Sequence, residues 1–196
     1  MKDIEFVILD IDGTILNNKR LYRWIVEKTI NPNSILYQIY LNTWEGKTPK
    51  ILRIFLQKIS EITDGNKVKK IRGVTAFLKL LHKEGIRIFG STRSDNRKTE
   101  KRLREQKVFK FFDVLKGREI NKIEHIPYFA NLMGRDLEDF SKHAIYIGDE
   151  PGDINIAKRF KIKPIIVTNT FSQNELVKFN IEKNLIVKRI REAIKK

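Results

Sequence analysis

The chain has 196 residues, of which 41% are hydrophobic and 33% charged, enough apolar material for one substantial domain and too much for wholesale disorder. It has no cysteine and only three histidines, which excludes a disulfide scaffold, a thiolate zinc site, a cysteine nucleophile and a histidine-rich metal cage. Forty Lys and Arg against 24 Asp and Glu give a formal charge of +16, which suits anionic partners such as phosphorylated metabolites, nucleic acid or an acidic surface, although in chain order the basic residues are spread rather than gathered in one tail.

Met1-Lys2-Asp3 leads directly into a strand-like run, Ile4–Leu9, with no signal-peptide pattern. No apolar run approaches the roughly 18 residues of a membrane span, so a cytoplasmic protein with no membrane association is expected. The first strand ends in Asp10-Ile11-Asp12-Gly13-Thr14. From about Asn17 to Lys70 there is no convincing strand, only helical patterns broken by Asn31-Pro32-Asn33, Glu45-Gly46-Lys47-Thr48-Pro49 and Asp64-Gly65-Asn66. Trp24, Trp44, Tyr22, Tyr37 and Tyr40 fall there and are expected to form that segment's own core and its hinge contact.

Val74–Lys83 places Phe77, Leu78, Leu80 and Leu81 on one side of a helix that stops at Gly85. Strand-like Ile86–Ser91 follows, then a polar, charged helix over Ser94–Gln106 and a weaker strand at Phe112–Leu115. Ala144–Ile147 and Pro164–Thr168 are again short, mostly apolar runs, as strands buried on both faces require, separated by a helix over Pro151–Phe160. Leu185–Ile194 reads as a basic amphipathic helix closing the last crossover. The alternation predicts an α/β fold, a doubly wound Rossmann-like parallel sheet, with residues 1–16 and 71–196 forming the core and 17–70 a small α-helical cap inserted after the first strand.

Two carboxylates just past a buried strand, Asp10 and Asp12, are costly to desolvate unless a cation pairs with them, and Gly13 permits a turn there. A second acidic pair, Asp149 and Asp153, follows the strand Ala144–Ile147. If the two strands are near neighbours in a parallel sheet, all four carboxylates meet at its carboxyl edge, where ligands bind in such folds. Four carboxylates repel one another unless a cation sits among them, and an all-oxygen donor set favours Mg²⁺. Gly90-Ser91-Thr92-Arg93-Ser94, before a helix, offers hydroxyls and backbone N–H groups for phosphate oxygens, and Lys122 is a further candidate.

These four pieces, in this order, resemble the haloacid dehalogenase-like superfamily over Ile4–Leu16 and from about Ile71 to the end of the sequence. Asp10-x-Asp12-Gly13-Thr14 and Gly148-Asp149-x-x-x-Asp153 match its first and fourth motifs; Thr92, rather than Ser91, is taken for the second, and Lys122 for the third, with Lys116 as the fallback. The resemblance implies that Asp10 attacks phosphorus to form an aspartyl-phosphate and that Asp12 protonates the leaving oxygen and later activates water. It implies Mg²⁺ held by Asp10, the carbonyl of Asp12, and Asp149, with Asp153 acting directly or through water. Thr92 and Lys122 would bind the transferring oxygens. Arg93, opening the basic helix, and Lys47 or Lys50 in the cap are further candidates for the substrate anion. An acid at Asp12 points to phosphate-ester chemistry rather than dehalogenation.

The insertion resembles the helical cap of the phosphoglycolate phosphatase and β-phosphoglucomutase branch, and a cap that closes over the site favours a small substrate. The expectation is a Mg²⁺-dependent phosphatase acting on a small phosphorylated metabolite. The alternatives are a phosphomutase on the same residues and a nucleic-acid-associated protein or polynucleotide 3′-phosphatase using the basic surface. Nucleic acid is the less favoured partner, because the cap tends to exclude macromolecules. Nothing in the sequence fixes an oligomeric state.

Overall fold

A computed structural model of the chain describes residues 3–17 and 68–195. In chain order its strands are β1 (Phe6–Asp10), β2 (Leu16–Asn17), β3 (Lys69–Lys70), β4 (Arg87–Ser91), β5 (Val114–Lys116), β6 (Ala144–Gly148), β7 (Lys163–Val167) and β8 (Ile186–Val187). Six of them form one parallel sheet in the order β5-β4-β1-β6-β7-β8. Every residue of β1 and of β6 is buried, which explains why both read as unbroken apolar runs.

The helices α1 (Val74–Lys83), α2 (Asn96–Glu105), α3 (His125–Leu132), α4 (Leu137–Lys142), α5 (Pro151–Arg159) and α6 (Gln173–Lys178) connect these strands. Val7 and Leu9 point into a core shared with Phe77, Leu78 and Leu81 of α1 and Leu103 of α2. Phe6 and Ile8 point the other way, into a core with Phe129 of α3, Phe140 of α4 and Ile156 of α5. The sheet is therefore covered on both faces, and β1 alternates between the two cores with the period of two that a strand dictates.

The face bearing α1 and α2 exposes Lys79, Lys83, Arg97, Lys101, Lys107 and Lys110. Basic side chains matched by acids one helical turn away occur on both faces, Arg104–Glu100 on α2 and Arg135–Asp139 and Lys142–Glu138 on the other side, where Lys158, Arg159 and Lys161 are also exposed.

Several expectations need correction. The helix expected over Leu185–Ile194 does not form; the segment is a short 3₁₀ turn, strand β8 and a second 3₁₀ segment, Ile190–Lys195. Ile186 and Val187 are buried on opposite faces of the sheet and pair with Ile166 and Val167, so the open edge of β7 outweighs an amphipathic helical pattern. The helices α3, α4 and α6 were not among the expected elements. Two carry cap signals in the sequence: Asp136 accepts from the N–H of Asp139 at α4, and Ser172 and Glu175 form a reciprocal capping box at α6.

After β1 the chain leaves and re-enters through an antiparallel ribbon in which Leu16 pairs with Lys70 and Asn17 with Lys69. The rest of the expected cap, with Lys47 and the cap aromatics, lies outside the described residues. Among the described residues no helix is long and apolar enough to cross a membrane.

Candidate active site

Strand parity builds the site. Asp10 ends β1 and lies in register with Ser91, the last residue of β4. Asp10 follows Phe6 and Ile8 onto the α3–α5 face; Ser91 follows Phe89, and Tyr146 follows Ala144, onto the same face. Asp10, Ser91 and Tyr146 are all buried there. Lys122 opens a 3₁₀ turn, Lys122–Glu124, that leads into α3. Its ammonium contacts Asp10 Oδ1 and lies 3.0 Å from Asp153 Oδ1. Lys116, by contrast, sits over the Tyr128 ring at 4.0 Å.

Asp153 lies in the first turn of α5, where its Oδ2 accepts the backbone N–H groups of Asp149 and Glu150, each at 3.2 Å. Asp149 is fully buried and held by two hydroxyls, Thr14 Oγ1 donating to Oδ1 at 2.9 Å and Thr170 donating to Oδ2. Gly13 has φ +94°, and a Cβ there would lie 2.1 Å from Asp149 Oδ2, so this glycine both makes the turn and leaves room for the carboxylate.

Asp12 departs from expectation. Its carboxylate does not join the other three; it is half-buried, and its Oδ2 accepts from Thr92 Oγ1 and Ser94 Oγ, both at 2.8 Å. The reason is local: Asp12 lies beyond the end of β1, in an isolated bridge to Leu16, and the two hydroxyls leaving β4 capture it. Thr92 is therefore committed to Asp12 and also accepts the N–H of Ser94 at 3.0 Å. Arg93, exposed just after β4, donates to Glu150 Oε2 at 3.3 Å and so bridges the loops that follow β4 and β6.

Asp10, Asp149 and Asp153 can each offer one oxygen within 4.8 Å of the others, a group able to hold a metal ion. Burial raises the Asp10 carboxyl well above the usual range, and Asp153, Asp149 and Asp12 add to this against the pull of Lys122. Burial likewise raises Asp149, reinforced by Glu150 and Asp153 and opposed by Thr170 and Thr14. Burial alone would lower the Lys122 ammonium, yet Asp10 and Asp153 hold it well above its ordinary value. Three buried carboxylates facing one ammonium are short of positive charge, and a hard divalent cation matches both the deficit and the all-oxygen donors.

Sequence reasoning assigned no role to Thr170, Tyr146 or His125. Thr170 follows the last residues of β7 and finds Asp149 only through the sheet order. A tyrosine inside an apolar strand does carry a signal, since its hydroxyl needs a partner once buried; here it lies 3.3 Å from Asp153 Oδ1.

A family model described as haloacid dehalogenase-like hydrolase matches residues 26–167. Among solved structures, a haloacid dehalogenase-like family hydrolase from Streptococcus pneumoniae is 16% identical, with a TM-score of 0.69 over 100% of this chain and 99% of that one. A predicted phosphatase from Clostridium acetobutylicum is 19% identical, with a TM-score of 0.68 over 98% and 97% of the two chains. A predicted phosphoglycolate phosphatase from Haemophilus somnus is 14% identical, with a TM-score of 0.67 over 100% and 98%. At these identities the likeness is one of fold. No curated protein matches the chain.

Proposed function

The chain belongs to the haloacid dehalogenase-like hydrolases, and from that premise we propose that it is a Mg²⁺-dependent phosphatase hydrolysing a small phosphorylated metabolite through an aspartyl-phosphate on Asp10. The observation that carries this reading is the placement of Asp10 at the carboxyl end of the central strand, with Lys122 against it and Asp149 and Asp153 within ligand reach. The printed descriptions of the Clostridium acetobutylicum and Haemophilus somnus neighbours as predicted phosphatases agree with it.

In this reading Asp10, Asp149, the carbonyl of Asp12 and, directly or through water, Asp153 hold Mg²⁺. When bound, the ion neutralises charge on the phosphoryl oxygens. An Asp10 carboxylate oxygen forms the new bond to phosphorus as the bond to the leaving oxygen breaks, and Asp12 gives that oxygen its proton. Water then attacks the phosphorus of the aspartyl-phosphate, Asp12 takes the water's proton, and phosphate leaves with Asp10 restored. Thr92 and Ser94 hold the Asp12 carboxylate in place through two hydrogen bonds. Lys122 meets the transferring oxygens, as does Arg93, whereas the Thr92 hydroxyl gives its proton to Asp12 and acts through it; Lys47 is proposed to meet those oxygens from the cap.

The test is phosphate release from a panel of sugar phosphates, phosphoglycolate, nucleotides, phosphoserine and a 3′-phosphorylated oligonucleotide. Wild type is assayed beside Asp10→Asn, each with Mg²⁺ and with EDTA. Turnover that is lost in the variant and in EDTA supports the reading; turnover that survives Asp10→Asn overturns it. An isomerised phosphoester in place of free phosphate would mark a mutase.

A second reading, nucleic-acid association, is favoured by the exposed Lys79, Lys83, Arg97, Lys101, Lys107 and Lys110 on the α1–α2 side. It requires oligonucleotide affinity that falls steeply with salt, and absence of binding at low salt removes it.

A further inference from the structure

Beneath Asp10 lies a chain of buried polar groups that the proposed mechanism leaves unused. Ser91 and His125 are both fully buried. His125 bridges two groups: Nδ1 lies 2.8 Å from Ser91 Oγ, and Nε2 lies 3.0 Å from the carbonyl oxygen of Gly117. A carbonyl oxygen can only accept, so Nε2 carries the ring proton and Nδ1 presents a lone pair. Ser91 must then give its single proton to Nδ1, which leaves its oxygen an acceptor toward everything else. Tyr146 lies on the far side of Ser91, its hydroxyl 3.4 Å from Ser91 Oγ and 3.3 Å from Asp153 Oδ1. Asp153 Oδ1 is the oxygen that also receives Lys122, and Lys122 in turn contacts Asp10.

The direction of the Ser91 proton follows from the Gly117 carbonyl. If Ser91 instead donated toward Tyr146, the tyrosine would lose Ser91 as an acceptor and its proton would go to Asp153 alone. We propose that His125 is a positioning residue for the Asp10–Lys122–Asp153 cluster: by taking the Ser91 proton it keeps Ser91 an acceptor, so that the single Tyr146 proton is shared between Ser91 and Asp153, which ties the carboxylate that shares Lys122 with Asp10 to the buried Ser91. The inference rests on the reading of Asp10 as the nucleophile. The neutral ring it requires is favoured by burial and by the nearby Lys122 and Lys116, which together outweigh the pull of the Gly117 and Ile120 carbonyls toward the charged ring.

Two substitutions separate this role from simple packing. In His125→Asn the side-chain oxygen can occupy the place of Nδ1 and still accept from Ser91, while the bond to Gly117 is lost. In His125→Gln the terminal group reaches toward Gly117, while the acceptor for Ser91 is lost. Each variant gives up one buried hydrogen bond, so packing alone predicts similar behaviour. The proposal predicts that Asn keeps kcat within about threefold of wild type, whereas Gln loses about tenfold or more in kcat at little changed KM, because displacement of a group behind the reacting carboxylate disturbs its alignment. Ser91→Ala combined with His125→Gln should lose no more than Gln alone.

Two readouts need no turnover. Nitrogen NMR of the wild type should show His125 protonated at Nε2 and bare at Nδ1 at neutral pH. Mg²⁺ affinity by calorimetry should follow the same order, wild type close to Asn and both above Gln. Equal losses in Asn and Gln, full activity in Gln, or a proton on Nδ1 would each overturn the proposal. Absence of turnover from the wild type itself would overturn the phosphatase reading instead, and His125 would then be judged by its tautomer and by the order of Mg²⁺ affinities.

Discussion

His125 makes the stability of the fold depend on pH in a direction that can be calculated. Burial and then Lys122 push its imidazole from an ordinary 6.5 down to about 4. The unfolded chain therefore takes up this proton as the pH falls through 6.5, whereas the folded chain does so only near 4. Between those values the unfolded state binds more protons, so the contribution is fully present above about pH 6.5 and is lost as pH falls. At about 1.4 kcal/mol per unit the whole span is worth about 3 kcal/mol, of which about 2 kcal/mol is gone at pH 5. Asp10 and Asp149 act oppositely, because carboxyls raised in the folded state take protons before the unfolded chain does. The wild-type curve alone mixes these effects, and its difference from His125→Asn isolates the imidazole. Urea unfolding of both proteins without metal, at pH 8 and pH 5, should show the gap between them shrinking by about 2 kcal/mol at the lower pH. A gap that stays constant would mean that His125 is not held neutral by burial, and the reasoning would fail.

Mg²⁺ at a hundred times its dissociation constant should stabilise the wild type by about 2.7 kcal/mol in thermal or urea unfolding. Asp149→Asn should abolish that increment, and an undiminished one would remove Asp149 from the metal group. Gly13→Ala puts a Cβ 2.1 Å from Asp149 Oδ2 at φ +94°; it should cost about 1–2 kcal/mol in stability and also shrink the Mg²⁺ increment, which calorimetry would read directly. Lys122→Met leaves Asp10 and Asp153 facing each other unpaired, and metal-free unfolding should show a loss of about 3–5 kcal/mol. A loss under about 1 kcal/mol would mean the pair is less desolvated than its burial implies.

The strands that place the site were legible because β1, β4, β6 and β7 lie inside a sheet covered on both faces, which forces runs of apolar residues that a reader can see. The acidic turns after β1 and β6 were legible for the complementary reason: carboxylates at the ends of such strands need a partner. What depended on pairing across the fold was not. Ile186 and Val187 form β8 only because β7 offers an open edge, and nothing in the basic residues around them announces it. Asp12 carries the same side chain as Asp10, two residues on, yet its destination is set by Thr92 and Ser94 from the loop after β4. The choice between Ser91 and Thr92 could not be made from spacing; Ser91 shares a register and a face with Asp10, while Thr92 turns to Asp12. His125 gave no sequence signal at all, since a lone histidine acquires meaning only from the carbonyl and hydroxyl on either side of it.

The central position of β1 has a consequence for how the protein is made. Phe6 is matched with Arg87 on one side and with Ala144 on the other. During synthesis this strand leaves the ribosome long before either neighbour exists, with both hydrogen-bonding edges open and both apolar faces uncovered. Pairings between such distant segments are slow to form, and an uncompleted parallel sheet is exposed to association with other chains. The first half of the sheet can assemble once β4 emerges, but Asp10 gains its full setting only after Lys122, β6 and Asp153 have followed. The residue proposed to carry the chemistry is thus translated ahead of the rest of the sheet and is among the last to be enclosed, so the order of synthesis and the order of maturation of this site run in opposite directions.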